Sequence, residues 1–176
     1  MIDIQTVLTY LTLISVPVGV AYHILTLRNQ SRTRQAQLFM QLFDKYREKS
    51  TWREGYELFQ MEWKDLDEFF QKYDSSVNMD NFEKRYSMWT FYDGLGMLLK
   101  KGLVDKEMIY YLMGGYSVYW YWEKFKDVIR ESRVRLNSPD HLVMFEYLAD
   151  EMRKMKVERE HNMEIPSHWG DFTVKE

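Results

Sequence analysis

Between Ile4 and Leu27 the chain runs for 24 residues without an aspartate, glutamate, lysine or arginine. Coiled as a helix, such a run measures about 36 Å, against roughly 30 Å for the hydrocarbon layer of a bilayer. Few structures accommodate a segment of this kind. A secretory leader needs a basic start, and Met1-Ile2-Asp3 supplies none, although Gly19-Val20-Ala21 has the small-x-small form of a cleavage site. Buried core helices seldom run this long without a charge. The expectation is therefore a single transmembrane helix, with residues 1–28 as the anchor and Pro17 kinking it. Tyr22 and His23 stand near its polar boundary.

Flanking charge orients the anchor. Asp3 is the one charged side chain before the run, whereas Arg28, Arg32 and Arg34 follow it at once. By the positive-inside rule the N-terminus faces out and the rest of the chain lies in the cytoplasm at the cell membrane. Residues 28–53 hold seven Lys/Arg against Asp44 and Glu48, a basic stretch attracted to anionic lipid.

The remaining chain reads as all-α, a cytoplasmic bundle of about five helices over residues 29–160 and a tail over 161–176. Three prolines and eight glycines are few for a β-rich chain. Ala36, Phe39, Phe43 and Tyr46 recur at helical spacing, and no Pro or Gly interrupts residues 28–50. Thr51-x-x-Glu54 has the form of a capping box, followed by a stripe of Trp52, Tyr56, Phe59, Trp63, Leu66, Phe70 and Tyr73. Asp74 to Asn78 is a polar break. Asp80-x-x-Glu83 can cap a fourth helix, striped by Phe82, Tyr86, Trp89 and Asp93 and ending at Lys100-Lys101-Gly102. A fifth runs from about Asp105 to Leu136, bent or split at Gly114-Gly115. Ser138-Pro139-Asp140 is a start signal for the sixth. In the tail, Ile165, Trp169 and Phe172 could dock back on the domain.

Composition narrows function mainly by exclusion. With no cysteine, thiolate catalysis, thiolate metal sites and disulfides are out. A formal net charge of −3 gives no reason to expect nucleic acid as a partner. No nucleophile elbow, phosphate loop or zincin pattern occurs, so no catalytic residue, metal ligand or cofactor is assigned. A di-iron bundle would need two Glu-x-x-His elements, and only Glu158-x-x-His161 is present.

Candidate ligand or interaction residues are Asp93, Gly94, Tyr119, Trp120, Trp122 and Glu123. Asp93 falls on an apolar stripe, where a carboxylate needs a hydroxyl or basic partner or titrates high. The uncharged aromatic stretch from Met108 to Trp122 reads first as the buried centre of the domain, and second as an aromatic platform. Gly94-x-Gly96 lacks the third glycine of a nucleotide loop and suits close helix packing instead.

The segment Phe91-Tyr92-Asp93-Gly94-Leu95-Gly96, then Lys101-Gly102-Leu103-Val104-Asp105, Tyr119-Trp120-Tyr121-Trp122-Glu123 and Arg130-Glu131-Ser132-Arg133, resembles in its order a prokaryotic family called domain of unknown function 4760. Its members often join one N-terminal membrane helix to a helical region. The family has no established activity, so the resemblance implies an architecture and carries over no catalytic residue. Two functions fit the sequence: a membrane-tethered helical accessory or scaffold protein with a membrane protein partner or self-association, or a sensor whose ligand sits between helices 4 and 5. Self-association would pair parallel helices along Phe39, Phe43 and Tyr46.

Overall fold

The computed structural model describes residues 3–159, and every regular element among them is a helix. Helix α1 (Ile4–Tyr46) is 43 residues long and passes Pro17 and the Arg28–Arg34 stretch without a break. The helix continues through residue 28, and the chain divides into two compact units after Gln41. Among the described residues no helix is long and apolar enough to cross a membrane. The physical reason lies in the composition of the uncharged run: Gln5, four threonines, Ser15 and His23 dilute its aliphatic side chains. The second unit begins with the last turn of α1 and continues through α2 (Lys49–Phe59), α3 (Leu66–Tyr73), α4 (Met79–Lys100), α5 (Lys106–Leu112), α6 (Gly115–Arg135) and α7 (Val143–Glu158).

Three long helices, α4, α6 and α7, form the core, with α7 packed on both of the others. Tyr92 of α4 stacks on Phe145 of α7 at 5.2 Å, and Trp122 of α6 meets the same ring edge-on at 5.4 Å. Leu95, Phe125, Ile129, Leu148 and Met152 complete an interior at or below 1% exposure. Each such side chain contributes about 1.5–3 kcal/mol by leaving water. The short helices cover this core: α2 lies on α4, α3 on α4 and α6, and α5 on α6 and α7.

Local signals set most helix starts, though not always the expected ones. The stripe from Trp52 to Tyr73 is not one helix. It breaks over residues 60–65, where Asp65 caps α3 by accepting from the Glu68 N–H at 2.9 Å. Lys124 of α6 holds the break by donating to the Met61 carbonyl at 2.7 Å. The interruption resets the helical phase, so Phe69 rather than Phe70 is buried, while Trp52 and Tyr56 are exposed. Thr51 caps nothing, since α2 already starts at Lys49 and the Thr51 hydroxyl donates to the Lys45 carbonyl. Asn78, not Asp80, caps α4. The split at Gly114-Gly115 is present: Gly114 takes φ +63° between α5 and α6, and a Cβ on Gly115 would lie 2.7 Å from Tyr110 Cα. Ser138-Pro139-Asp140 forms a turn, with the Ser138 hydroxyl on Asp140 at 3.0 Å, and α7 begins only at Val143. The expected tail, including Ile165, Trp169 and Phe172, lies outside the described residues.

Candidate functional site

Asp93 is placed by the start of α7. The residue preceding that helix, Leu142, sits in the left-handed region at φ +55° and offers no side-chain acceptor. The Val143 N–H turns back to the Asp140 carbonyl at 3.2 Å, but the two amides after it would be left without partners. Asp93 reaches across from α4 and accepts from the Met144 and Phe145 N–H groups at 2.9 and 3.0 Å. A carboxylate at a helix N-terminus is favoured twice, by those hydrogen bonds and by the helix dipole. The partner is therefore backbone amide, where a hydroxyl or a basic side chain was expected. Two neighbours complete the joint. Gly96 lets α7 approach, since a Cβ there would run into the Met144 carbonyl. Arg133 of α6 donates to the His141 carbonyl at 2.8 Å and to Glu146 at 2.7 Å, holding the α6–α7 connection from the other side. Gly94 is exposed, with open space where its Cβ would be.

Glu123 does not join Asp93. It pairs with Lys126 on its own helix at 2.7 Å. Trp122 is buried against Phe145, so of the aromatic stretch it serves the core, as do Ile109, Tyr110, Met113, Val118 and Tyr121. Tyr119 and Trp120 are half-buried and face the ammonium of Lys156, which lies 5.8 and 4.8 Å from their ring centroids. Lys156 is only 3% exposed, and its Nζ has no hydrogen-bond acceptor among the described residues. Burial lowers its pKa, and the two ring faces supply the compensating attraction. Burial, followed by the charge of Glu123, raises the pKa of Tyr119.

Two cavities lie within the second unit. One, lined by Tyr46, Thr51, Gly55, Tyr92, Ser117 and Tyr121 among others, holds about 30 Å³, room for a single water. Tyr121 there donates to the Gly55 carbonyl, and burial raises its pKa. The other, about 370 Å³, lies between α3, α4 and α6 and is lined by Phe69, Phe82, Arg85, Trp89, Ser132 and Arg135 among others. This second cavity does lie between the fourth helix and the one after the Gly-Gly break, but it contains neither Asp93 nor Glu123. Its central residue, Arg85, escaped the sequence reading. The available signal was its register: Phe82, Arg85 and Trp89 share a helix face at spacings of three and four, so an arginine stands on an apolar stripe.

Arg28, Arg32 and Arg34 are exposed on α1. Among the described residues no group of three acids or histidines is placed to hold a metal ion. His161 of the Glu-x-x-His element lies outside them.

Comparison with known proteins gives one match. The model of a family described as a domain of unknown function (DUF4760) matches residues 12–152. No curated protein and no solved structure matches the chain.

Proposed function

Since the chain belongs to the domain of unknown function 4760 family, a membership that carries no activity with it, we propose from its physical features that it is a membrane-tethered helical interaction module. The observation that carries this reading is the exposure of the described apolar side chains of α1 between Leu13 and Leu27. Leu13, Val16, Val18, Val20, Ile24, Leu25 and Leu27 are between 47% and 64% exposed. They are distributed on both sides of the helix, and no charge relieves them from Ile4 to Leu27. A helix surrounded by water would reserve one face for charge.

A bilayer or a partner helix within it supplies the missing cover. The hydroxyls that weaken this segment as a lone span suit a partner, because Ser and Thr side chains bond across packed membrane helices. Arg28, Arg32 and Arg34 then hold the following residues on the cytoplasmic side, with the N-terminus outside.

Fractionation tests the tether. The full chain is expected in the membrane pellet after alkaline carbonate washing, and in mild detergent it should bring a defined membrane protein with it. Because the chain contains no cysteine, Asp3→Cys and Lys154→Cys each provide a single thiol. A membrane-impermeant maleimide should label the first from outside the cell and not the second. Recovery of the chain in the carbonate supernatant would sink the proposal.

A further inference from the structure

The cavity between α3, α4 and α6 contains a cation that its neighbours satisfy only in part. Arg85 is 3% exposed. Its two terminal nitrogens donate to neutral oxygens, Asn81 Oδ1 at 2.9 Å and the Tyr73 carbonyl at 3.0 Å. Its Nε has no hydrogen-bond acceptor among the described residues. Rings of Phe69, Trp89 and Phe82 surround the guanidinium at 4.8, 5.2 and 5.6 Å. Aromatic faces attract a cation but do not accept its N–H groups as oxygens do, so a donor is left over where desolvation makes that costly.

The charges lining the cavity are unequal. Arg85 and Arg135 oppose one carboxylate, Asp74. Asp74 is held by Ser76, whose N–H and hydroxyl donate to its Oδ1 at 3.0 and 2.8 Å. These bonds keep its pKa low, so it is ionised. The Arg135 guanidinium stands 3.7 Å from the centroid of the Phe70 ring and pairs with Glu131 at 2.9 Å at the exposed rim, where water screens the pair. His141 is neutral at pH 7, because burial and then Arg133 lower its pKa. Arg135 thus has Glu131 as its ionic partner, whereas among the described residues no carboxylate lies within ion-pair distance of Arg85, so Arg85 is the cation left without one.

We propose that this cavity is a binding site for a small organic monocarboxylate, its anionic head accepting from Arg85 and Arg135 and its flat apolar body lying among Phe69, Phe82 and Trp89. A planar carboxylate head matches the guanidinium geometry and can accept the Arg85 N–H that its neighbours leave over. About 370 Å³ admits a bicyclic aromatic acid and excludes a two-chain lipid. The site does not depend on the membrane reading, since it is built wholly within the second unit.

Calorimetric titration of the full chain in lipid nanodiscs with indole-3-propionate and, separately, its uncharged primary amide tests the site. The acid is expected to bind saturably, and the amide at least about tenfold more weakly. Ser132→Phe, which fills the cavity and leaves Arg85 in place, should abolish binding. Arg85→Met should reduce the affinity for the acid to that for the amide. Absence of saturable binding by the unaltered chain, equal affinity for acid and amide, or undiminished binding by Ser132→Phe would overturn the proposal. The comparison of acid with amide stands even if Arg85→Met fails to fold.

Discussion

Asp93 shows how much one side chain can decide. Both its hydrogen bonds reach amides of a helix that its own segment does not belong to. Replacing it by alanine leaves those amides unpaired, and Asp93→Ala should cost about 1–2 kcal/mol, the ordinary value of a lost cap. Asp93→Asn keeps an acceptor oxygen and should cost less. Thermal melting followed by circular dichroism at 222 nm would rank the three chains, with native above Asn above Ala. That Asp93 would find a partner was legible, because a carboxylate on an apolar stripe cannot remain unsatisfied. That the partner would be backbone was not, because α7 starts after Leu142 and no rule of local preference places a leucine there with positive φ. Arg85 was hidden for a related reason. An arginine beside an asparagine and two aromatics reads as a surface charge until α3 and α6 are known to close over it.

At the scale of the element, two glycines two residues apart behave oppositely. Gly94 faces open space, so Gly94→Ala should raise stability by about 0.5–1 kcal/mol through restriction of the unfolded chain. Gly96 touches the α7 backbone, so Gly96→Ala should lower stability by about 1–3 kcal/mol as the helices are forced apart. Urea midpoints measured on the two variants would test the contrast, and a loss at both positions would count against the α4–α7 packing described above. Helix type and number were readable where punctuation is strong, as at Gly102 and Gly114. They failed between Trp52 and Tyr73, where even aromatic spacing concealed a break that Lys124, 63 residues after Met61, stabilises. Period alone cannot reveal a join made by another helix.

For the molecule as a whole, the division after Gln41 separates a unit whose described apolar side chains from Leu13 to Leu27 are exposed from a unit with a packed core. A chain beginning at Gln35 retains the buried Phe39 and all of the second unit. It is expected to remain in the supernatant after ultracentrifugation, to keep a helical spectrum and to melt in one transition. Pelleting of that shorter chain with lipid would place membrane affinity in the second unit and remove the role assigned to the first.

The reach from Asp93 to Met144 spans 51 positions, and this has a bearing on biosynthesis. Starting a helix is unfavourable until some interaction holds its first turn, and here the holding group is made long before the turn it serves. During translation α4 leaves the ribosome well ahead of α7, so the Tyr92 and Leu95 face waits uncovered while α6 is still being synthesised. Arrival of α7 closes that face and fastens its own beginning in a single event, so ribosome-bound chains halted before Met144 should be the ones that recruit chaperones.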